Sequence, residues 1–117
     1  MLTNDRRVFQ RLRLARPILG VIVDQNALII DLGVAVAFVE HYGVTTSNTR
    51  CRLQFHWQSD RIEFVCEVAR SHVIRESGTD VISHTGLRFV ESAGDSEALL
   101  RDLMATYVGS VLAAQKA

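Results

Sequence analysis

Two stretches of alternating sequence decide the fold of this chain, RCRLQFHW at residues 50–57 and RIEFVCEV at residues 61–68. In both, apolar and polar side chains alternate with a period of two, which is typical of strands with one buried face. The three residues between them, Gln58-Ser59-Asp60, favour a turn. The pattern therefore predicts an antiparallel hairpin with these residues on its inward face: Cys51, Leu53, Phe55, Trp57, Ile62, Phe64, Cys66 and Val68.

Further strands are predicted on both sides of this hairpin. Residues 18–23 are rich in β-branched side chains and predict a first strand. Residues 27–31 and 34–40 predict two more strands, with Gly33 at the corner between them, and residues 81–91 predict a last strand. Closing about six short antiparallel strands into a barrel removes the edges that they would otherwise expose. We therefore predict a β-barrel over residues 18–91.

The end of the chain has a different character. Asp95 or Ser96 can cap a helix, and apolar residues then recur at spacings of three and four up to Leu112. This predicts an amphipathic helix over residues 95–115, appended to the barrel. The apolar stripe favours packing against the barrel, and a homodimer formed through this helix remains an alternative.

Length and charge limit the class of protein. A chain of 117 residues is expected to form a single domain, residues 1–117. Acidic and basic residues balance at 13 each, so the positive charge is local to the first 17 residues. Binding to a local basic patch is therefore favoured over a broad attraction to nucleic acid.

The sequence also argues against an enzyme or a metalloprotein. The four histidines lack the spacing of a metal site, and the serines show no nucleophile elbow. The two cysteines favour free thiols in a reducing cytoplasm over a disulfide. The longest apolar run, 27–39, is interrupted by Asp31 and is too short to span a bilayer. We expect a soluble cytoplasmic protein without a metal or cofactor.

The basic start of the chain carries the strongest functional signal. Arg7 and Arg11 are separated by three residues, and Arg6 precedes them. A guanidinium can bind phosphate or the Hoogsteen edge of guanine with two hydrogen bonds, and it also stacks on a base. Several arginines in a short segment can therefore converge on one anionic nucleotide, although a solvated basic tail has the same composition.

Together these features resemble the PilZ domain, the bacterial receptor domain for cyclic di-GMP, over nearly the whole chain. Arg7 and Arg11 match the first family motif, Arg-x-x-x-Arg. Asp31 matches the start of the second motif, Asp/Asn-x-Ser-x-x-Gly, whereas Gly33 and Val36 stand at its serine and glycine positions. Weaker matches are Gly43, residues 68–70 (Val-Ala-Arg) and residues 85–89 (Thr-Gly-Leu-Arg-Phe).

The resemblance implies a six-stranded antiparallel barrel closed by the C-terminal helix. It implies that residues 1–17 are a basic switch segment, ordered by cyclic di-GMP so that docking on a downstream protein changes. Asp31 would accept from guanine donors or orient an arginine. The ligand contacts that it implies are Arg6, Arg7, Arg11, Asp31, Gly33, Val36 and Arg70.

The two departures in the second motif leave an alternative open. Gly33 lacks a hydroxyl that could contact the ligand, and Val36 places a branched side chain where glycine would allow close approach. The chain could therefore be a PilZ-like protein-interaction module that no longer binds the nucleotide. A single-strand nucleic-acid binder is disfavoured, because most of the aromatic residues are assigned to the barrel interior.

Overall fold

The computed structural model describes the backbone of residues 11–116 and the side chains of residues 11–108. Residues 11–116 form six strands followed by one helix. Their bounds are β1 Leu12–Ile22, β2 Gln25–Leu32, β3 Val36–Tyr42, β4 Arg50–Trp57, β5 Asp60–Ser77, β6 Asp80–Ser92 and α1 Ser96–Lys116.

The six strands form a closed antiparallel barrel in the order β1-β2-β3-β6-β5-β4, and pairing between β1 and β4 closes the ring. The predicted hairpin is confirmed, with Cys51 opposite Cys66 and Phe55 opposite Ile62 in its ladder. Its inward side chains enter the core, where Leu53 and Ile62 are fully buried. The predicted fold class, an all-β barrel with an appended helix, is therefore confirmed.

The first strand begins at Leu12 rather than at the predicted Ile18. Its register with β2 shifts between Arg13 and Ile18, around Pro17, which has no amide hydrogen to donate to a ladder. The side chain of Tyr107 replaces part of the missing ladder, because its hydroxyl donates to the Arg13 carbonyl and accepts from the Ala15 amide. Residues 12–16, which the sequence placed in the switch segment, thus belong to the barrel.

The helix packs against the barrel through the first part of its apolar stripe. Leu100, Leu103 and Met104 are buried, and Leu99 and Tyr107 are partly buried against the same core. The buried Ser96 hydroxyl accepts a 2.9 Å hydrogen bond from the Glu63 amide, which ties the start of α1 to β5. The predicted packing is confirmed for these residues, and Val111 and Leu112 lie outside the described side chains.

Candidate functional site

A groove runs over the outer face of β3, β6 and β5, with a cavity of about 400 Å³. It forms because alternate residues of these strands point away from the barrel interior. We call it the arginine groove, and the side chains and backbone that line it include Arg11, Val36, Phe38, Arg70, His72, His84, Gly86 and Arg88.

The register of the three strands explains why these residues meet. Val36 pairs with Arg88, and Phe38 pairs with Gly86, across the β3–β6 ladder. Gly86 pairs in turn with Arg70 across β5–β6, next to an irregularity in β5 between Val68 and Arg70. Residues that are far apart in sequence therefore form adjacent rows on one surface.

At the end of this surface near the β2–β3 turn, Asp31 holds two arginines of the basic segment. One carboxylate oxygen accepts a 2.6 Å hydrogen bond from Arg13 Nε, and the other lies 3.5 Å from Arg11 Nε. The Asp31 side chain is only 8% exposed, whereas that of Arg11 is 56% exposed. Of the two roles expected for Asp31, this geometry fits the orientation of arginines better than direct contact with a ligand.

Two other nitrogen-bearing side chains of the groove, Arg88 and His84, have acidic partners. Arg88 Nη2 donates to Glu67, which pairs with it across the β5–β6 ladder. His84 Nε2 lies 2.9 Å from Glu40 Oε1, and the His84 ring packs edge-to-face on Phe38 with centroids 5.1 Å apart. Among the described residues, no carboxylate lies within ion-pair distance of the exposed Arg70. Arg70 therefore faces the groove as an exposed cation.

The structure thus brings together three of the predicted site residues, Arg11, Val36 and Arg70, in one cavity. Asp31 lies beside them and contacts Arg11. Gly33 is buried in the β2–β3 turn, where its amide donates to the Val36 carbonyl at 2.8 Å. Arg6 and Arg7 lie outside the described residues, so their predicted contacts stay predictions.

Sequence reasoning missed most of the residues that line the groove, among them Phe38, His72, His84, Gly86 and Arg88. Gly86 and Arg88 were noted only as part of a family pattern, and His72 and His84 as isolated histidines. These residues meet because β6 pairs with β3, and no local sequence pattern predicts the pairing of strands that are so far apart in the chain.

The buried histidine, His41, belongs to a satisfied polar network beneath the groove. Its Nδ1 lies 2.9 Å from the Tyr42 carbonyl, which can only accept, so Nδ1 carries the proton. Its Nε2 lies 2.6 Å from the Thr85 hydroxyl, which also contacts the Ser71 hydroxyl at 2.7 Å. Ser71 and Thr85 alternate with the groove residues of their strands. The network therefore joins the strands that carry the groove.

Neither cysteine has the properties of a reactive thiol. Both are free, and Cys66 is fully buried opposite Cys51. Burial, reinforced by the neighbouring Cys51, raises the pKa of the Cys66 thiol to about 12. Burial also raises the pKa of Cys51. Because the thiolate is the reactive form, both positions are expected to react slowly. In the described part of the chain, no cluster of His, Cys, Asp or Glu could hold a metal ion.

A second depression of about 470 Å³ lies on the β1–β4–β5 side and includes Arg50, Arg52 and Arg61. Here Glu63 pairs with both Arg52 and Arg61, at 2.8 and 2.9 Å. Arg61 also donates to Gln54. This surface is a solvated ion-pair network, which makes it a useful control for the arginine groove.

Within the described residues, no helix is long and apolar enough to cross a membrane.

Comparison with known proteins gave one informative match. No family model matches the chain, and no curated protein matches it in sequence. The inhibitor of motility MotI/DgrA of Bacillus subtilis has a similar structure, with a TM-score of 0.63 and 16% sequence identity. The similarity covers 88% of this chain and 50% of that one, so this chain spans about half the length of MotI/DgrA. The likeness shows that the chain has the PilZ-like barrel fold.

Proposed function

We propose that this chain is a receptor for cyclic di-GMP. The observation that carries the proposal is the arginine groove, in which Arg11, Arg70 and Arg88 face one cavity on the outside of the barrel. The basic segment ends at the same place, because Arg11 contacts Asp31 at the start of the groove. The PilZ-like fold supports the proposal, and the choice of ligand rests on the residues of the arginine groove.

The chemistry of cyclic di-GMP suits this arrangement. The ligand carries two phosphates and two guanines, and guanidinium groups bind both kinds of group. The exposed Arg70 can pair with a phosphate or stack on a guanine without losing an acidic partner among the described residues. The guanidinium of Arg88 is held in place by Glu67, so its remaining N–H groups can donate to the ligand from a fixed position. Arg6 and Arg7 would add contacts from the segment that precedes Arg11.

We further propose that the ligand acts by fixing the basic segment. In this scheme Arg6 and Arg7 join Arg11, which Asp31 already holds, around the bound nucleotide, and the rearranged surface docks on a downstream protein. The barrel would provide a rigid base, since Asp31 anchors Arg13 and Arg11 to β2. Receptor and adaptor functions would then be two states of one surface.

A specific feature supports a second candidate, a PilZ-like interaction module without the nucleotide. Val36 lines the groove with a branched side chain, and the outer face beyond the groove exposes Leu19 and Tyr42, 62% and 59% accessible. Exposed apolar residues of this kind are frequent at protein-binding surfaces. In this case the groove would no longer bind a nucleotide, and the exposed apolar face would bind a partner protein.

Calorimetric titration with cyclic di-GMP, beside GTP and cyclic di-AMP, separates the two candidates. The receptor proposal expects saturable binding of cyclic di-GMP that weakens at least about tenfold in Arg70→Ala, since charge-assisted hydrogen bonds contribute about 1.5 to 3 kcal/mol. Arg50→Ala is the matched control, because Arg50 is exposed on the other depression. Absence of binding by the parent protein would favour the interaction module.

A further inference from the structure

The glycine at position 86 has no conformational reason to be a glycine. Positive φ angles occur at Gly43, Gly78 and Gly94, and Gly86 is not among them. A Cβ built on Gly86 would meet only the Arg70 carbonyl oxygen within 4 Å, at 4.0 Å. Glycine within a strand costs about 0.5 to 1 kcal/mol relative to alanine. The chain therefore keeps an open gap in the middle of β6 where a side chain would fit.

Four side chains surround this gap on the outer face. Phe38 and Arg70 are the ladder partners of Gly86 in β3 and β5. His84 and Arg88 are the outward residues on either side of it along β6. The Phe38 and His84 rings pack at an interplanar angle of 73°, so one side of the gap is aromatic. The other side carries two guanidinium groups.

The spacing of the strands suits a planar group in the gap. Phe38 and Arg70 stand two strands apart, which corresponds to roughly 9.6 Å between their backbones. A flat ring in van der Waals contact with one group on each face needs about 7 to 8 Å between those groups. The bare backbone of Gly86 allows the edge of such a ring to come close to the strand.

We propose that the gap over Gly86 is a slot for one purine base, which stacks between the Phe38 ring and the Arg70 guanidinium. This inference rests on the proposed nucleotide-receptor function and specifies where a base is held. Arg88, held in place by Glu67, faces the edge of the slot. Because an arginine fork pairs with O6 and N7 of guanine, the slot prefers guanine to adenine.

The test uses the isotope-labelled full chain, titrated with GMP and with ribose 5-phosphate in NMR experiments. GMP is expected to shift the Phe38 ring protons upfield, because they lie over the face of the base, and the Gly86 amide downfield, because the edge of the base points at it. Ribose 5-phosphate carries the same phosphate without a base, and it is expected to leave these signals in place. Equal shifts with both compounds, or no shift at Gly86 with either, would overturn the slot.

Two variants extend the test to the complete ligand. Gly86→Val fills the slot and suits a strand, so the protein is expected to fold while its affinity for cyclic di-GMP falls at least about tenfold. Gly86→Ala adds only a Cβ and gives a smaller loss in the same direction. The control is His56→Val at an exposed position of β4. Unchanged affinity in Gly86→Val would also overturn the slot.

These measurements separate the slot from the receptor proposal. If the parent chain does not bind cyclic di-GMP while GMP still shifts Gly86 and Phe38, the receptor proposal fails and the base slot stands. If cyclic di-GMP binds with the same affinity to the parent and to Gly86→Val, the receptor stands and the slot fails.

Discussion

The buried Asp31 carboxylate accepts a 2.6 Å hydrogen bond from Nε of the exposed Arg13. Its second oxygen lies 3.5 Å from Arg11. One acidic residue of β2 thus holds Arg11 and Arg13 where β1 begins, at the point where the arginine groove starts. The contribution of Asp31 to binding is then indirect, through the positions of Arg11 and Arg13.

The first prediction follows from this role. Asp31→Asn is expected to weaken cyclic di-GMP binding by about two- to tenfold, because ordering one long side chain on binding costs about 0.5 to 1.5 kcal/mol. Titration calorimetry measures the change. Glu63→Gln is the matched control, since Glu63 also holds two arginines but on the opposite depression. Equal losses in the two variants would contradict the positioning role.

A second prediction concerns Tyr107, whose hydroxyl binds Arg13 and Ala15 at 2.8 and 3.0 Å. Tyr107→Phe removes both hydrogen bonds and keeps the ring in place. Each hydrogen bond contributes about 0.5 to 1.5 kcal/mol, so the free energy of unfolding is expected to fall by about 1 to 3 kcal/mol. Chemical denaturation measures this loss. Because the hydroxyl satisfies the irregular part of β1, protection of the Ala15 amide from exchange should fall as well.

A third prediction tests whether α1 is part of the fold. Leu100 is fully buried, so Leu100→Ala is expected to cost about 2 to 5 kcal/mol of stability. Thermal unfolding measures the effect, with Glu97→Ala on the exposed side of the helix as the control.

Truncation before Ser96 is expected to unfold the domain. A folded, monomeric truncation would instead indicate that the helix serves a partner.

The hairpin and the arginine groove differ in how far the sequence could predict them. The alternation at residues 50–57 and 61–68 determines which side chains face inward, because strands joined by a short turn pair locally. Val36 and Arg88 meet only because β3 pairs with β6, and no local pattern specifies that register. The extension of β1 back to Leu12 was missed for a related reason. Leu14 is the only buried side chain from Arg11 to Pro17, and a hydroxyl from α1 satisfies the backbone there.

A fourth prediction concerns pH and the buried Cys66. Its pKa rises on folding from an ordinary value of 9.0 to about 12, because burial disfavours the thiolate. The folded state therefore holds the proton more tightly. The resulting stability is complete below pH 9 and is lost as the pH rises towards 12. This one group should lower the free energy of unfolding by up to about 1.4 kcal/mol per pH unit in that range.

The comparison with Cys66→Val isolates this effect from other groups that titrate at high pH. Valine is similarly apolar and cannot ionise, so the stability of the variant should fall less steeply between pH 9 and 12. Denaturant titrations at several pH values give the two slopes. Parallel slopes would show that Cys66 is not the group responsible.

The last prediction concerns Gly33 and Val36, the two departures from the second family motif. Val36 lines the arginine groove, and its carbonyl accepts from the Gly33 amide at 2.8 Å. The double change Gly33→Ser and Val36→Gly adds a hydroxyl near the groove and removes a branched side chain from its wall. We expect affinity for cyclic di-GMP to increase by about fivefold or more, which corresponds to about 1 to 3 kcal/mol. The gain should disappear when Arg70 is also changed to alanine, because a hydroxyl alone cannot hold a doubly charged ligand.

Glycine at position 36 should reduce stability by about 0.5 to 1 kcal/mol, so affinity and stability would change in opposite directions. If calorimetry shows no tighter binding in the double variant, Gly33 and Val36 do not limit the site, and the interaction module becomes the better account of this chain.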